Sequence, residues 1–283
     1  AFARLGDVRT VARMQPATAA ETAAEFASLC LARMGDVGQP VEPVYGWDDL
    51  IVPETLRQGL QGFAHEARDR GRALEREETR RIFRAAAGLS AMFCGPPGVG
   101  KSMAAQIIAR ELGVPLLRVD LGAVSSKYVG ETAKNLSAAF REARNAAAVL
   151  LFDEADALFA KRTEASDATG RYANADTGHL LQLLEGHDGV VILSTNRRGA
   201  IEPAFIRRLR HVFEFQRAEA RDREDIWRRL LEAMEADVEM LDAQVTALAA
   251  RADISPSQIK SAILTARYAA LRAEGPIDGA MLE

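Results

Sequence analysis

The chain has 283 residues, 48% of them hydrophobic and 27% charged, which suits a globular protein with one large or two smaller domains. Its net charge of −4 argues against a dedicated nucleic-acid binder, and its two cysteines exclude a disulfide framework. No apolar run approaches the roughly 20 residues that a membrane-spanning helix needs. These features together predict a cytoplasmic protein.

Residues 1–44 are predicted to form a helical lead-in and a linker. An alanine-rich helix is expected up to Gly35, and Pro40 and Pro43 then indicate the linker. Because the sequence begins at Ala1 rather than at Met, we expect it to be part of a longer protein.

Residues 45–216 are predicted to form the main domain. Two helices are expected first, over residues 54–70 and 75–84, and the second is so rich in Arg and Glu that a solvated face is its simplest interpretation. An apolar strand follows at residues 90–94, and a helix runs from Met103 to Leu112.

A glycine-rich stretch joins that strand to that helix. It reads Gly95, Pro96, Pro97, Gly98, Val99, Gly100, Lys101 and Ser102. Glycines let backbone N–H groups turn inward around phosphate oxygens, and the helix N-terminus adds partial positive charge. The lysine would reach the β- and γ-phosphates, and the serine hydroxyl would hold Mg²⁺. A chance turn is the alternative, but strand, loop and helix in this order predict a nucleoside triphosphate site.

Four more apolar runs predict strands at residues 116–120, 149–152, 190–195 and 211–215. Helical patterns alternate with them, and a polar loop is expected at residues 163–174. This alternation predicts an α/β fold with a five-stranded parallel sheet between helices. From residue 217 to 283 the pattern is purely helical and predicts a small lid domain, in which Ser255 and Pro256 begin the last long helix.

Polar residues follow two of these strands, where a parallel sheet binds ligands. Asp153 would hold Mg²⁺, and Glu154 would align the attacking water and accept its proton. The alternative is a pair of acids that cap a helix, and Asp156 is interpreted as a helix-start residue. Asn196 would orient the same water, although an asparagine in a turn is also possible.

Three arginines, Arg207, Arg208 and Arg210, lie just before the last strand. They could form a solvated basic helix end. Guanidinium groups also suit phosphate oxygens, so these residues could reach a γ-phosphate, either in the same chain or in a neighbour.

A loop after the second strand contains Lys127, Tyr128, Val129 and Gly130. Aromatic residues in loops commonly mark binding. The four histidines lie in no metalloprotease pattern, and each is interpreted as a surface or packing residue.

The ordered set of motifs resembles that of the AAA+ ATPases, within the clade that remodels proteins, and the likeness extends from about Trp47 to the C-terminus. The phosphate loop is similar to Walker A, residues 150–154 to Walker B and Asn196 to sensor 1. The segment 127–130 resembles the first pore loop. Residues 171–174 and 203–208 resemble a bacterial subgroup, some of whose members accompany contractile injection systems.

The resemblance implies a P-loop NTPase fold that binds ATP and Mg²⁺ in a homo-oligomeric ring, usually a hexamer. Arg207 and Arg208 would complete the neighbour's catalytic site, and hydrolysis would move Tyr128 along a threaded protein substrate. It also implies nucleotide contacts from Met103 and Ser257 and adenine contacts from Ile51 and Val52. The chain departs from the family at these last positions, since it lacks the usual glycine after residues 47–50 and has Pro256 and Ser257 where the lid helix usually has Gly-Ala.

Two other functions stay open at this point. A nucleic-acid translocase or loader would need a basic channel and salt-sensitive binding. A nucleotide-switched scaffold would have negligible turnover, against which Glu154 and the two arginines argue.

Overall fold

The computed structural model describes residues 38–73, 75–82, 88–124, 131–160, 168–197, 199, 201, 203–251 and 254–282. The predicted lead-in up to residue 37 and the segment 125–130 lie outside these ranges.

Six strands form one sheet in the order β1-β3-β4-β5-β2-β6. Their bounds are β1 Gln39–Val41, β2 Leu89–Cys94, β3 Leu116–Asp120, β4 Val149–Asp153, β5 Val190–Thr195 and β6 His211–Glu214. Strands β2 to β6 pair in parallel, whereas β1 pairs antiparallel with β3. The predicted α/β fold with five parallel strands is therefore confirmed, and one short antiparallel edge strand is added to it.

Eleven α-helices are present in the described ranges. Their bounds are α1 Glu54–Ala73, α2 Glu77–Ile82, α3 Lys101–Leu112, α4 Leu121–Val124, α5 Glu131–Ala146, α6 Asp156–Ala160, α7 Ala168–Gly186, α8 Pro203–Ile206, α9 Ala220–Ala233, α10 Asp242–Ala249 and α11 Pro256–Arg272. Short 3₁₀ turns occupy Trp47–Asp49 and Gly279–Met281.

Two predicted segments differ from the structure. Pro40 was expected in a linker but lies in β1, which is compatible with proline because an edge strand can leave one N–H side unpaired. The loop expected at residues 163–174 overlaps α7, which begins at Ala168. Packing of α7 against α5 and α6 stabilises the helix although its first turn contains Gly170.

Alternation along the strands separates two apolar layers. Leu116, Val149 and Leu151 face α1 and α3, whereas Leu117, Leu150 and Phe152 face α5 and α7. A third cluster is built from α9, α10 and α11 around the fully buried Trp227, and Ile51 packs against it. The edge of the sheet where the parallel strands end therefore faces these last helices.

Candidate active site

The phosphate loop has the geometry that its glycines predict. Gly98 has a left-handed φ of 77°, and a Cβ there would lie 2.2 Å from Ser257 Oγ, so only glycine fits so close to α11. A Cβ on Gly95 would lie 2.1 Å from the Phe215 carbonyl oxygen. The loop is therefore held between β6 and the first turn of α11. Cys94, just before it, is buried in the core.

Lys101 begins α3 and is only 6% exposed. Its Nζ donates to the carbonyl oxygens of Gly95 and Pro96, both at 2.7 Å, and to Asn196 Oδ1 at 2.9 Å. Burial lowers the pKa of Lys101, and the nearby carboxylates of Asp153 and Asp156 counteract this effect. The lysine thus connects the phosphate loop to the end of β5, and a bound phosphate would offer it stronger acceptors than these carbonyls.

Asp153 ends β4 with both carboxylate oxygens in use. Its Oδ1 accepts the Glu154 backbone N–H at 3.1 Å, and its Oδ2 forms an ion pair with Arg118 Nη2 at 2.8 Å. Sequence reasoning missed Arg118, because the register between β3 and β4 that brings it close to Asp153 is not visible in either strand alone.

Glu154 follows with a left-handed φ of 54°. A non-glycine residue in this conformation stores backbone strain, which is common at functional sites. The exposed side chain lies close to α4, the short helix after β3, where its Oε2 is 3.2 Å from the position of a Cβ on Gly122. Gly122 therefore leaves room for the carboxylate, a role that sequence analysis did not assign to it.

Asn196 is exposed at the end of β5, and its side-chain oxygen is the acceptor for Lys101. Asp156 begins α6, as predicted, but it also accepts a hydrogen bond from Thr195 Oγ1 at 3.1 Å and a long one from the Asn196 N–H at 3.4 Å. Asp156 thus fixes the turn that carries Asn196.

A cavity of about 620 Å³ joins these groups, a size typical of small-molecule sites. Its phosphate side is lined by Pro97, Gly98, Val99, Gly100, Lys101, Ser102, Met103, Asp153, Glu154 and Asn196. Gly95 and Pro96 contribute carbonyl oxygens to Lys101 instead. A serine hydroxyl and an aspartate carboxylate are hard oxygen ligands of the kind that Mg²⁺ prefers, so Ser102 and Asp153 fit this ion.

The other side of the cavity lies between residues 45–51 and the helices α9 and α11. Ile51 and Ser257 line it, as expected, whereas Val52 packs into the apolar layer beside α1 and α3. Lys260 Nζ lies 5.8 Å from the ring centroid of Tyr45, a cation–π distance. Arg229 of α9 donates to the Asp48 carbonyl oxygen. No motif pointed to the contributions of Tyr45 and Arg229.

Arg207 and Arg208 are exposed and lie away from this cavity. They line a separate depression of about 410 Å³, where Arg208 Nη1 lies 3.5 Å from Glu185 Oε1. Arg210 pairs instead with Glu66, which also accepts from His211 Nε2 at 2.7 Å. The structure therefore does not bring the two predicted arginine fingers to the nucleotide cavity of their own chain.

Lys127, Tyr128 and Val129 lie outside the described residues. Helix α5 begins at Glu131, directly after this segment. Within the described ranges, no helix has the length and apolar character required to cross a bilayer.

The phosphate loop, the acid pair and the asparagine at the rim of one parallel sheet define a P-loop nucleotide-binding domain. The profile of the family described as "ATPase family associated with various cellular activities (AAA)" matches residues 91–217. Residues 91–217 are therefore similar to an ATPase domain of the AAA family, and the relatives of the chain include a cell division cycle protein 48 homolog and a probable 26S proteasome regulatory subunit.

Two curated relatives illustrate the likeness. The protein named "Uncharacterized AAA family ATPase y4kL" from Sinorhizobium fredii is 35% identical over 189 residues, 65% of this chain and 54% of that protein. The "Cell division cycle protein 48 homolog" from Archaeoglobus fulgidus is 36% identical over 118 residues, 40% of this chain and 16% of that protein. The chain thus matches about half of the first relative and a smaller share of the second.

The fold is also that of a solved structure described as "Crystal structure of FIGL-1 AAA domain in complex with ADP". The two superpose with a TM-score of 0.65 over 90% of this chain and 88% of that one, at 19% sequence identity. Placement in the bacterial subgroup stays a prediction.

Proposed function

We propose that this chain binds ATP with Mg²⁺, hydrolyses it, and uses the energy to remodel another protein within a homo-oligomeric ring. One observation carries the hydrolytic part: a single cavity gathers the phosphate loop, Asp153, Glu154 and Asn196. Each of these groups has a distinct task in phosphoryl transfer to water, so their convergence favours hydrolysis over binding alone.

The roles follow from the positions of the side chains. Lys101 would neutralise the β- and γ-phosphates, and Ser102 and Asp153 would hold Mg²⁺, which offsets the charge on the phosphate oxygens. Glu154 would accept the proton of the attacking water, because this residue lines the cavity beside Asp153. Asn196 would orient that water with its amide group while Asp156 holds its backbone.

Ring assembly is supported by Arg207 and Arg208. Both are exposed and lie outside the cavity of their own chain, so they can act on a γ-phosphate only after a large rearrangement or in a neighbouring subunit. An arginine supplied in trans stabilises transition-state charge in other P-loop enzymes. A hexamer is the assembly that the family resemblance implies.

A protein substrate is supported by the sequence motif at Lys127, Tyr128 and Val129 and by the names of two relatives, the cell division cycle protein 48 homolog and a proteasome regulatory subunit from Caenorhabditis elegans. The motif directly precedes α5 in the sequence. Helix α5 packs on β4, and β4 ends in Asp153. The tyrosine thus lies, in sequence, three residues before a helix that packs on the strand carrying the proposed Mg²⁺ ligand.

The test replaces Tyr128 by alanine. We expect Tyr128→Ala to keep ATP turnover within about twofold and to lose remodelling of a fluorescent reporter protein carrying an unstructured tail, because the catalytic groups stay intact while the substrate contact is lost. A matched control is Tyr268→Ala, which removes a tyrosine that is 60% exposed on α11 and should leave both activities unchanged. Intact remodelling by Tyr128→Ala would refute the threading role.

Salt-sensitive, ATP-stimulated DNA binding would favour a nucleic-acid translocase instead.

A further inference from the structure

Arg118 contacts the aspartate that the proposed function assigns to Mg²⁺. The Arg118 Nη2 to Asp153 Oδ2 distance is 2.8 Å, the aspartate side chain is 13% exposed, and the arginine side chain is 46% exposed. No motif of the phosphate site includes this arginine. Its contact with Asp153 therefore calls for a physical explanation.

The register of the sheet explains how the two side chains meet. Arg118 of β3 lies opposite Leu151 of β4, and Asp120 lies opposite Asp153. Residues two apart along a strand project to the same face, so Arg118 and Asp153 share the face that α3 covers and meet along a diagonal between the strands. A substitution at position 118 therefore acts on Asp153 without changing the phosphate loop.

The two oxygens of Asp153 are fixed from two directions. Its Oδ1 accepts the Glu154 N–H at 3.1 Å, and its Oδ2 accepts from Arg118. Asp153 lines the nucleotide cavity, whereas Arg118 is not among the residues around it. Each carboxylate oxygen has two lone pairs, so these contacts set the rotamer and leave acceptor capacity towards the cavity.

The charges around Asp153 make a fixed rotamer important. Asp120 lies opposite it in the parallel register, and Glu154 follows it in the chain. Repulsion among these carboxylates favours a rotation of Asp153 away from the others, and the positive charges of Lys101 and Arg118 oppose it. Mg²⁺ demands nearly ideal octahedral geometry, so a misplaced carboxylate binds it poorly, either directly or through its water.

We propose that Arg118 is a positioning residue, which holds the Asp153 carboxylate in the rotamer that receives Mg²⁺ beside the phosphate loop. The proposal rests on the proposed function of this cavity. It makes Arg118 an outer partner of the ion, comparable to the groups that orient metal ligands in other proteins.

The test measures binding of a fluorescent ATP analogue, first with EDTA and then during a titration with Mg²⁺. We expect Arg118→Ala to leave affinity in EDTA unchanged and to raise the Mg²⁺ concentration at half-saturation about tenfold, the lower end of the losses that follow removal of an outer-shell partner. Arg118→Lys should lose less Mg²⁺ affinity than Arg118→Ala, because lysine keeps the positive charge but lacks the planar guanidinium group.

Arg68→Ala is the matched control. Arg68 pairs with Glu111 at 2.9 Å, with side chains that are 48% and 18% exposed, so the variant removes an ion pair of similar length and exposure outside the nucleotide cavity. Its Mg²⁺ titration should coincide with that of the original protein. Thermal unfolding of each variant shows that the binding curves describe folded protein.

Two results would overturn the proposal. If the half-saturating Mg²⁺ concentration of Arg118→Ala is unchanged or falls, the arginine does not position Asp153, and a fall would mean that its charge merely competes with the ion. If the original protein binds the nucleotide without any response to Mg²⁺, the proposed function fails together with this inference.

Discussion

Glu154 combines a strained backbone with an exposed carboxylate at the rim of the cavity. A left-handed conformation costs a non-glycine residue about 1–3 kcal/mol, so the surrounding strand end and the hydrogen bond to Asp153 must hold it in place. The consecutive side chains of Asp153 and Glu154 thus lie in different positions. This suits Asp153 for binding Mg²⁺ and Glu154 for accepting a proton from the attacking water.

We predict that Glu154→Gln binds ATP with nearly unchanged affinity and turns it over about 10²–10⁴-fold more slowly, because an amide cannot accept the proton of the attacking water. Equilibrium nucleotide binding and phosphate release measure the two quantities. Glu78→Gln, a change on the exposed face of α2, is the control and should keep full turnover. Normal turnover by Glu154→Gln would remove the residue from this role.

The sequence predicts most residues of the phosphate side because they belong to one contiguous motif or directly follow an apolar strand. Arg118 and Gly122 were missed because their importance depends on strand register and on where the Glu154 side chain points. The contributions of Tyr45 and Arg229 were missed for a related reason. Tyr45 meets Lys260, and Asp48 meets Arg229, only when α11 and α9 pack over the residues before α1.

At the scale of elements, His187 joins α7 to β5 as a buried packing residue. Its ring meets the Phe140 ring edge-on, with centroids 5.2 Å apart, and neither ring nitrogen has a hydrogen-bond partner among the described residues. Burial, together with the nearby positive charge of Arg144, lowers the pKa of His187 to about 4 from an ordinary 6.5. The folded protein therefore keeps this imidazole neutral.

This shift predicts a pH-dependent loss of stability. The unfolded chain takes up the proton near pH 6.5, and the folded protein only near pH 4. The stabilisation that the neutral His187 gives the folded protein is therefore fully present above pH 6.5. It is lost as the pH falls towards 4, which lowers the free energy of unfolding by on the order of 3 kcal/mol. We expect His187→Phe to remove this part of the pH dependence, because phenylalanine keeps the ring contact and cannot bind a proton.

Urea unfolding at a series of pH values measures the effect. His65→Phe is the control, because the His65 side chain is 64% exposed and its replacement should leave the pH dependence unchanged. Parallel pH curves for His187→Phe and the original protein would show that the buried imidazole does not titrate as described.

The elements themselves were predictable where hydrophobic pattern and length agree. The five parallel strands are apolar runs bounded by turn residues, and their predicted bounds differ from the structure by one residue at most. Strand β1 has only three residues, includes Pro40 and exists through its pairing with β3, so the local sequence carries little signal for it. The start of α7 was missed because its polar first turn has no apolar periodicity.

At the scale of the whole molecule, the nucleotide cavity lies between the phosphate side of the sheet and the helices α9 and α11, and the proposed arginine fingers lie on a different surface. The helices α9 to α11 form their own cluster and contact the cavity through Arg229, Ser257 and Lys260. A ligand that binds between these helices and the sheet can shift their relative position only if its affinity differs between the two arrangements. Hydrolysis provides such a difference, because it removes the γ-phosphate.

The central claim is that Arg207 and Arg208 complete the catalytic site of a neighbouring subunit. The most direct measurement is ATP turnover in a mixture of two inactive variants. In Lys101→Ala the nucleotide site is lost and the arginines remain. In the double variant Arg207→Ala/Arg208→Ala the nucleotide site remains and the arginines are lost.

We predict that each variant alone is nearly inactive and that the mixture recovers a substantial fraction of turnover, because an intact nucleotide site then meets intact arginines from a neighbour. Recovery should rise with total protein concentration, as assembly requires. A mixture that stays as inactive as its separate components, at concentrations where the original protein hydrolyses ATP, would contradict the account.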